Sequence, residues 1–224
     1  MDGADVSSAD FAACLADLAK ANTLTFARPA TLAWLATATR GTQSFSLLDV
    51  GYGHGDMLRA IHRWAVRRGL TPRLAGMDLN PRSEPAARAA TDAALGIVYQ
   101  TGNVFTDLGG GQADFPPDFI VSSLVTHHMS DSEIVGFIRW MEGTSRRGWF
   151  INDLHRHPIA FYGFRLISSV AGWHRFVRHD GPISVARSFR RADWTALLAA
   201  AGVETADVSL RWRFPFRLCV GRLK

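Results

Sequence analysis

Apolar positions along this chain alternate between two rhythms. Short apolar runs bounded by Gly, Ser or Asp fall at residues 45–50, 74–77, 97–100, 118–124 and 148–152, which suits strands buried on both faces. Between them the apolar residues take helical spacing. Met57, Leu58, Ile61, Trp64 and Ala65 predict a helix over 56–68, stopped by Gly69. An Ala-rich helix is expected over 81–94. Ser130 and Glu133 form a capping box ahead of Ile134, Val135, Phe137, Ile138 and Met141.

The flanks differ from this centre. Residues 8–40 are expected to be helical, with stripes at Phe11, Cys14, Leu15 and Leu18 and then at Leu32, Trp34 and Leu35, ending at Gly41. Pro158–Val170 predicts an amphipathic helix. Residues 171–187 are rich in Arg, His and aromatics without a clear period. Residues 192–201 close as a helix with Gly202 at its end, and 203–223 alternate like two antiparallel strands around Pro215. Strand and helix alternating at short spacing mean an α/β fold, a parallel sheet with helices on both faces.

Composition narrows the picture. The chain has 224 residues, 47% apolar and 20% charged, enough for one sizeable core and too apolar for disorder. No apolar stretch is long enough to span a bilayer, and from the acidic N-terminus no export signal is expected. Cys14 and Cys219 lie at opposite ends and match no metal or disulfide spacing. A cytoplasmic setting is the expectation. The net charge of +5 is almost entirely Arg, with Lys only at 20 and 224, a bias that points to a GC-rich bacterial gene. Arg is spread along the chain, so its basic character is weak evidence for nucleic acid.

The most informative stretch is Leu47-Leu48-Asp49-Val50-Gly51-Tyr52-Gly53-His54-Gly55-Asp56, between the first strand and its helix. Open α/β sheets bind ligands at that edge, and glycines let the backbone come close to one. A dinucleotide turn starting at Gly51 requires glycine at position 56, where the chain has Asp. An acidic side chain there repels a pyrophosphate at the helix N-terminus. A cofactor without phosphate fits better, and Asp49 can help hold a cationic amino group.

These residues resemble the class I S-adenosylmethionine-dependent methyltransferases, and the likeness extends over roughly 45–224. Asp78, in GMDLN, stands where the family places an acid on both ribose hydroxyls. Gly102-Asn103-Val104 stands where it meets the adenine amino group. SSLVTHHM is close to the His-His-apolar sequence of many members that act on small molecules. The closest likeness is to the ubiquinone-biosynthesis type and to O-methyltransferases of bacterial secondary metabolism. Tyr52-Gly53-His54 departs from the commoner Cys-Gly-Thr without removing a glycine.

The resemblance implies a Rossmann-like, doubly wound, seven-stranded sheet in the order 3-2-1-4-5-7-6, its last strand antiparallel. It implies one domain: an N-terminal helical cap (1–41), a cofactor-binding core (45–153), a substrate-side helical insertion (154–190), and a last helix with antiparallel strands (191–224). It implies S-adenosylmethionine as cofactor, with S-adenosylhomocysteine as product. The expected cofactor-binding residues are Asp49, Gly51, Tyr52, Gly53, Gly55, Asp78, Leu79, Asn103, Val104 and Ser123.

Methyl transfer from a sulfonium is an in-line displacement, and a phenol or alcohol acceptor must also lose a proton, which a neutral His can take. His128 is the first candidate, then His127 and His155, with His157 last; each is also readable as a capping or core histidine. No metal is expected. The fourth strand ends in Ser122-Ser123, and Asn152-Asp153 alone is a poor magnesium site. The insertion carries Phe161, Tyr162, Phe164, Trp173, Phe176 and Phe189 with Arg156, Arg165, Arg175, Arg178 and Arg187. These suit a flat, partly anionic acceptor, or equally ordinary helix packing with a solvated Arg face. Arg28 is either a ligand of the cofactor's carboxylate or an exposed helix-start residue. The expected reaction is methylation of a phenolic or quinol oxygen on a small aromatic or polyketide-like molecule, by a monomer or homodimer. C- or N-methylation of a small molecule, or methylation of RNA or protein, are the alternatives.

Overall fold

Six consecutive buried positions place β1 (Ser44–Val50) in the middle of the sheet. It pairs in parallel with β2 (Thr71–Asp78) on one side and with β4 (Phe119–Ser123) on the other. The structure, a computed structural model, describes residues 23, 26–106, 116–170 and 175–224. Beyond β2 lies β3 (Val98–Thr101), and beyond β4 lie β5 (Gly148–Leu154), β7 (Arg217–Leu223) and the edge strand β6 (Val208–Arg213). The order is 3-2-1-4-5-7-6, with β7 antiparallel to both neighbours. This is the expected sheet.

Strand parity divides the core into two layers. Leu48, Val50, Ile120, Trp149 and Ile151 face one cluster, with α4 (Asp131–Thr144) and α7 (Arg191–Ala201). Phe45, Leu47, Phe119, Val121 and Phe150 face the other, with α1 (Ala27–Ala38) and α2 (Asp56–Val66). Alternate residues of one strand point to opposite faces, so a strand buried on both sides reads as a continuous apolar run. The capping box at Ser130 and Glu133 starts α4 as expected.

Three elements differ from the sequence reading. The helix expected over 81–94 is α3 (Ser83–Ala89) followed by a 3₁₀ turn, Ala93–Leu95, because the Asp92 carboxylate accepts from Ala94 N (2.9 Å) and starts a new turn. β2 begins at Thr71, ahead of its apolar run, in register with Ser44. The aperiodic stretch contains a helix, α6 (Arg175–Arg187), with Pro182 inside it. Its inward positions include Val177, Pro182 and Val185, and a proline in such a stripe hides the period. α6 packs on α5 (Pro158–Val170), and the pair forms the insertion between β5 and α7. The stripe at Phe11 to Leu18, together with Trp173, lies outside the described residues. Among the described residues no helix is long and apolar enough to cross a membrane.

Candidate functional site

β1 connects to β2 on one side while β4 lies on its other, so the topological switch falls between the carboxyl ends of β1 and β4. There the chain turns from β1 into α2 through Gly51 (φ +75°), Gly53 (φ +51°) and Gly55 (φ +72°). A Cβ at Gly51 would overlap Val125 Cγ2, and one at Gly55 would lie 2.5 Å from the Tyr99 hydroxyl. Both the dihedral and the space call for glycine.

Over this turn lies a cavity of about 600 Å³. Val50 and Gly51 line it from β1, Asp78, Leu79 and Arg82 from the end of β2, Asn103, Val104 and Phe105 from the loop after β3, and Leu124, Val125 and His128 from the loop after β4. Asp78 Oδ2 accepts from Gly53 N and Oδ1 from Asn80 N, both at 2.9 Å. A carboxylate has more acceptor sites than these two bonds use. Leu124 sits in left-handed backbone (φ +63°), a strained conformation for a γ-branched residue, and it turns the chain back over the cavity.

Asp49 is 2% exposed, and its Oδ1 has no hydrogen-bond partner among the described residues. Burial, then the negative charges of Asp56 and Asp78, push its pKa well above the usual carboxylate range. A buried, unpartnered acceptor in a field of negative charge is a place for a cation. Tyr52 is buried against Tyr99, with ring centroids 4.9 Å apart. Ser123 ends β4, and its Oγ has no partner among the described residues. Arg28 binds Asp56 Oδ2 through Nε (3.1 Å) and Nη2 (2.9 Å), so α1 is tied to the first turn of α2.

The two adjacent histidines diverge. His128 lines the cavity. His127 is 6% exposed, with its Nδ1 2.7 Å from Asp153 Oδ1 and its ring centroid 4.1 Å from that of His128. Asp153 is fully buried at the end of β5. Its Oδ2 accepts from the Thr126 hydroxyl and from His127 N (3.1 Å), and its Oδ1 from Leu154 N (2.7 Å). Burial alone would raise its pKa, but the charge and hydrogen bonds of His127 and Thr126 outweigh it and hold the pKa below the ordinary value. Arg217, 1% exposed, is lowered by burial to about 10, with Asp153 acting the other way.

His155 stands past β5 and does not line the cavity. Its Nδ1 is buried without a partner among the described residues, and burial, His157 and Arg190 lower its pKa. His157 stacks on Phe216 at 5.0 Å. Among the described residues no group of three His, Cys, Asp or Glu is arranged to hold a metal ion.

Of the residues singled out in the sequence, Gly51, Asp78, Leu79, Asn103, Val104 and His128 meet at the cavity. Asp49, Tyr52, Gly53 and Gly55 belong to the strand end and turn beside it. The sequence reading missed Arg82, Phe105, Leu124, Val125 and Met129 on the walls, and missed Asp153 as the partner of His127. Arg82 follows Asp78 within DLNPR, and the Asn152-Asp153 pair ends the strand beside β4; these were the available signals.

Sheet order and helix placement together define the class I S-adenosylmethionine-dependent methyltransferase fold. No protein-family model and no curated protein sequence matches the chain. Solved structures do. Magnesium protoporphyrin IX methyltransferase (ChlM) from Synechocystis PCC 6803 with bound SAH is similar at 16% identity, over 88% of this chain and 81% of that one, with a TM-score of 0.55. Human N-acetylserotonin methyltransferase (ASMT) in complex with SAM is similar at 13% identity, over 97% of this chain and 56% of that one, with a TM-score of 0.66. The plantazolicin methyltransferase BpumL in complex with SAH is similar at 13% identity, over 97% and 88%, with a TM-score of 0.61.

Proposed function

We propose that this chain transfers a methyl group from S-adenosylmethionine to an oxygen of a small aromatic acceptor, a phenol or quinol. The carrying observation is the cavity at the topological switch point, with Gly51, Asp78, Asn103 and His128 on its walls. Its volume of about 600 Å³ is in the range of small-molecule sites.

The residues present fit the cofactor. Asp49 has an unpartnered acceptor for an ammonium group, and the glycine turn leaves room for a close backbone approach. Asp78 accepts from the ribose hydroxyls, Asn103 faces the adenine, and Leu79 and Val104 supply apolar contact. Tyr52, Gly53, Gly55 and Ser123 complete the binding edge. When bound, the cofactor supplies a methyl group on a sulfonium, an electrophile whose leaving group is a neutral thioether.

The chain's own task is to align the acceptor oxygen with that methyl and to take its proton. His128 is the proton acceptor we favour, because it reaches the cavity. His127, held by Asp153, orients the loop that carries His128, and His155 lies further along the same sheet edge. Neutral imidazole is the competent form of a base.

The test is an incubation of the full chain with methyl-labelled S-adenosylmethionine and a panel of phenols and quinols, read by mass spectrometry. A labelled O-methyl product that depends on His128 supports the reading. Transfer exclusively to carbon or nitrogen would overturn the oxygen assignment.

A further inference from the structure

Helix α5 is inside out. Ile159, Tyr162, Leu166, Ile167 and Val170 recur at the three-, four- and seven-residue spacing of one helix face, and they are 64%, 66%, 66%, 54% and 81% exposed. The buried residue of this helix is Ser168. The opposite side is anchored: Phe164 lies over Gly181 of α6, where a Cβ would overlap its ring. The apolar side is therefore held outward by the packing of the helix pair.

The stretch that contains it is basic. Residues 154–190 contain six Arg against a single carboxylate, Asp180, and one of the six, Arg156, is paired with Asp193 just beyond (2.6 Å). Arg165, Arg178 and Arg187 are exposed. The apolar surface also continues beyond the helix. His157, just ahead of α5, stacks on Phe216 (5.0 Å), and Phe216 meets Trp212 edge-on (6.3 Å). Trp212, near the end of β6, and Phe214, on the turn between β6 and β7, are 50% and 70% exposed.

We propose that α5, with the exposed aromatics around the β6–β7 turn, docks on the surface of an anionic phospholipid bilayer. An interfacial helix of this kind combines an apolar face with flanking Arg, and its binding sums apolar burial with attraction to anionic headgroups. Tyr and Trp suit the level of the headgroups. A second copy is the poorer occupant, because a two-fold contact would press this positive stretch against itself. The helix lies on the bilayer without crossing it. This docking does not depend on the methyl-transfer reading.

The test uses the full chain in flotation with vesicles of phosphatidylglycerol and phosphatidylcholine, and of phosphatidylcholine alone. Binding is expected to the anionic vesicles, weakening with salt. Each Arg lost in R165Q or R178Q lowers the partition about fivefold, and L166E or V170E abolishes it while circular dichroism stays unchanged. Absence of binding to anionic vesicles, or binding indifferent to L166E and V170E, would overturn the proposal. So would a dimer in light scattering that L166E dissociates, which would assign the face to a second copy.

Discussion

Asp49→Asn separates what stabilises this fold from what equips it to bind. The Asp49 carboxyl is 2% exposed, its Oδ1 is unpartnered among the described residues, and Asp56 and Asp78 add negative charge around it. Burial first, then those charges, raise its folded pKa. The ligand-free fold therefore holds the proton more tightly than the unfolded chain does. The carboxyl costs no stability below the unfolded pKa of about 3.9, and an increasing amount as pH climbs from there toward the folded pKa. Asparagine keeps the buried acceptor but cannot ionise, so it removes the linkage cost, which is about 1.4 kcal/mol for each unit by which the folded pKa is raised. Relieving about 1 kcal/mol in a chain this long moves Tm by about 2–4 °C. In scanning calorimetry, Asp49→Asn should raise the Tm of the ligand-free protein by several degrees at pH 8, and by less at pH 5. In titration calorimetry it should weaken S-adenosylmethionine by roughly 10- to 150-fold, since a hydrogen bond to a charged group contributes about 1.5–3 kcal/mol. A lower Tm at pH 8 would refute the argument from burial. Unchanged affinity would refute the assignment of Asp49 to the amino group.

Other substitutions test the remaining parts of the site. Gly51→Ala should cost about 1–2 kcal/mol for the left-handed backbone alone; the displaced Val125 wall should weaken S-adenosylmethionine as well, and a Tm and Kd equal to those of the parent would contradict this. His128→Ala should lower kcat on a phenolic acceptor by about 10²- to 10⁴-fold with cofactor Kd nearly unchanged, whereas full turnover would remove it as the base. The folded pKa of Asp153 is depressed, so its contribution to stability is complete above the unfolded value of about 3.9 and is lost as pH falls through the folded one. Asp153→Asn should cost about 3–5 kcal/mol at pH 7 and flatten the acid limb of the Tm profile; an unchanged acid limb would show that another carboxylate controls it.

Much of this fold was legible because parallel strands buried on both faces read as unbroken apolar runs, and because the helix signals were local. The capping box at Ser130 and Glu133 and the stop at Gly202 are examples, each set by residues within one turn. Features made by distant parts of the chain were hidden. The Asp153–His127 pair joins residues from neighbouring strand ends, and from sequence alone Asp153 stood as a weak metal ligand. Period alone predicts an amphipathic α5, but which side faces inward depends on α6, whose own stripe is masked by Pro182. For the site, the glycines and Asp78 were visible because a tight turn and a strand-end acid are local requirements. Phe105, Leu124 and Val125 line the cavity through loop geometry that carries no motif.

The central claim is that the crevice over β1 and β4 takes S-adenosylmethionine. Titration calorimetry of the full chain with S-adenosylmethionine, S-adenosylhomocysteine and NADH tests it most directly. Micromolar binding of the first two and none of the third is the predicted result. Binding of NADH alone would mean that Asp56 does not exclude a pyrophosphate, and binding of none of the three would contradict the account.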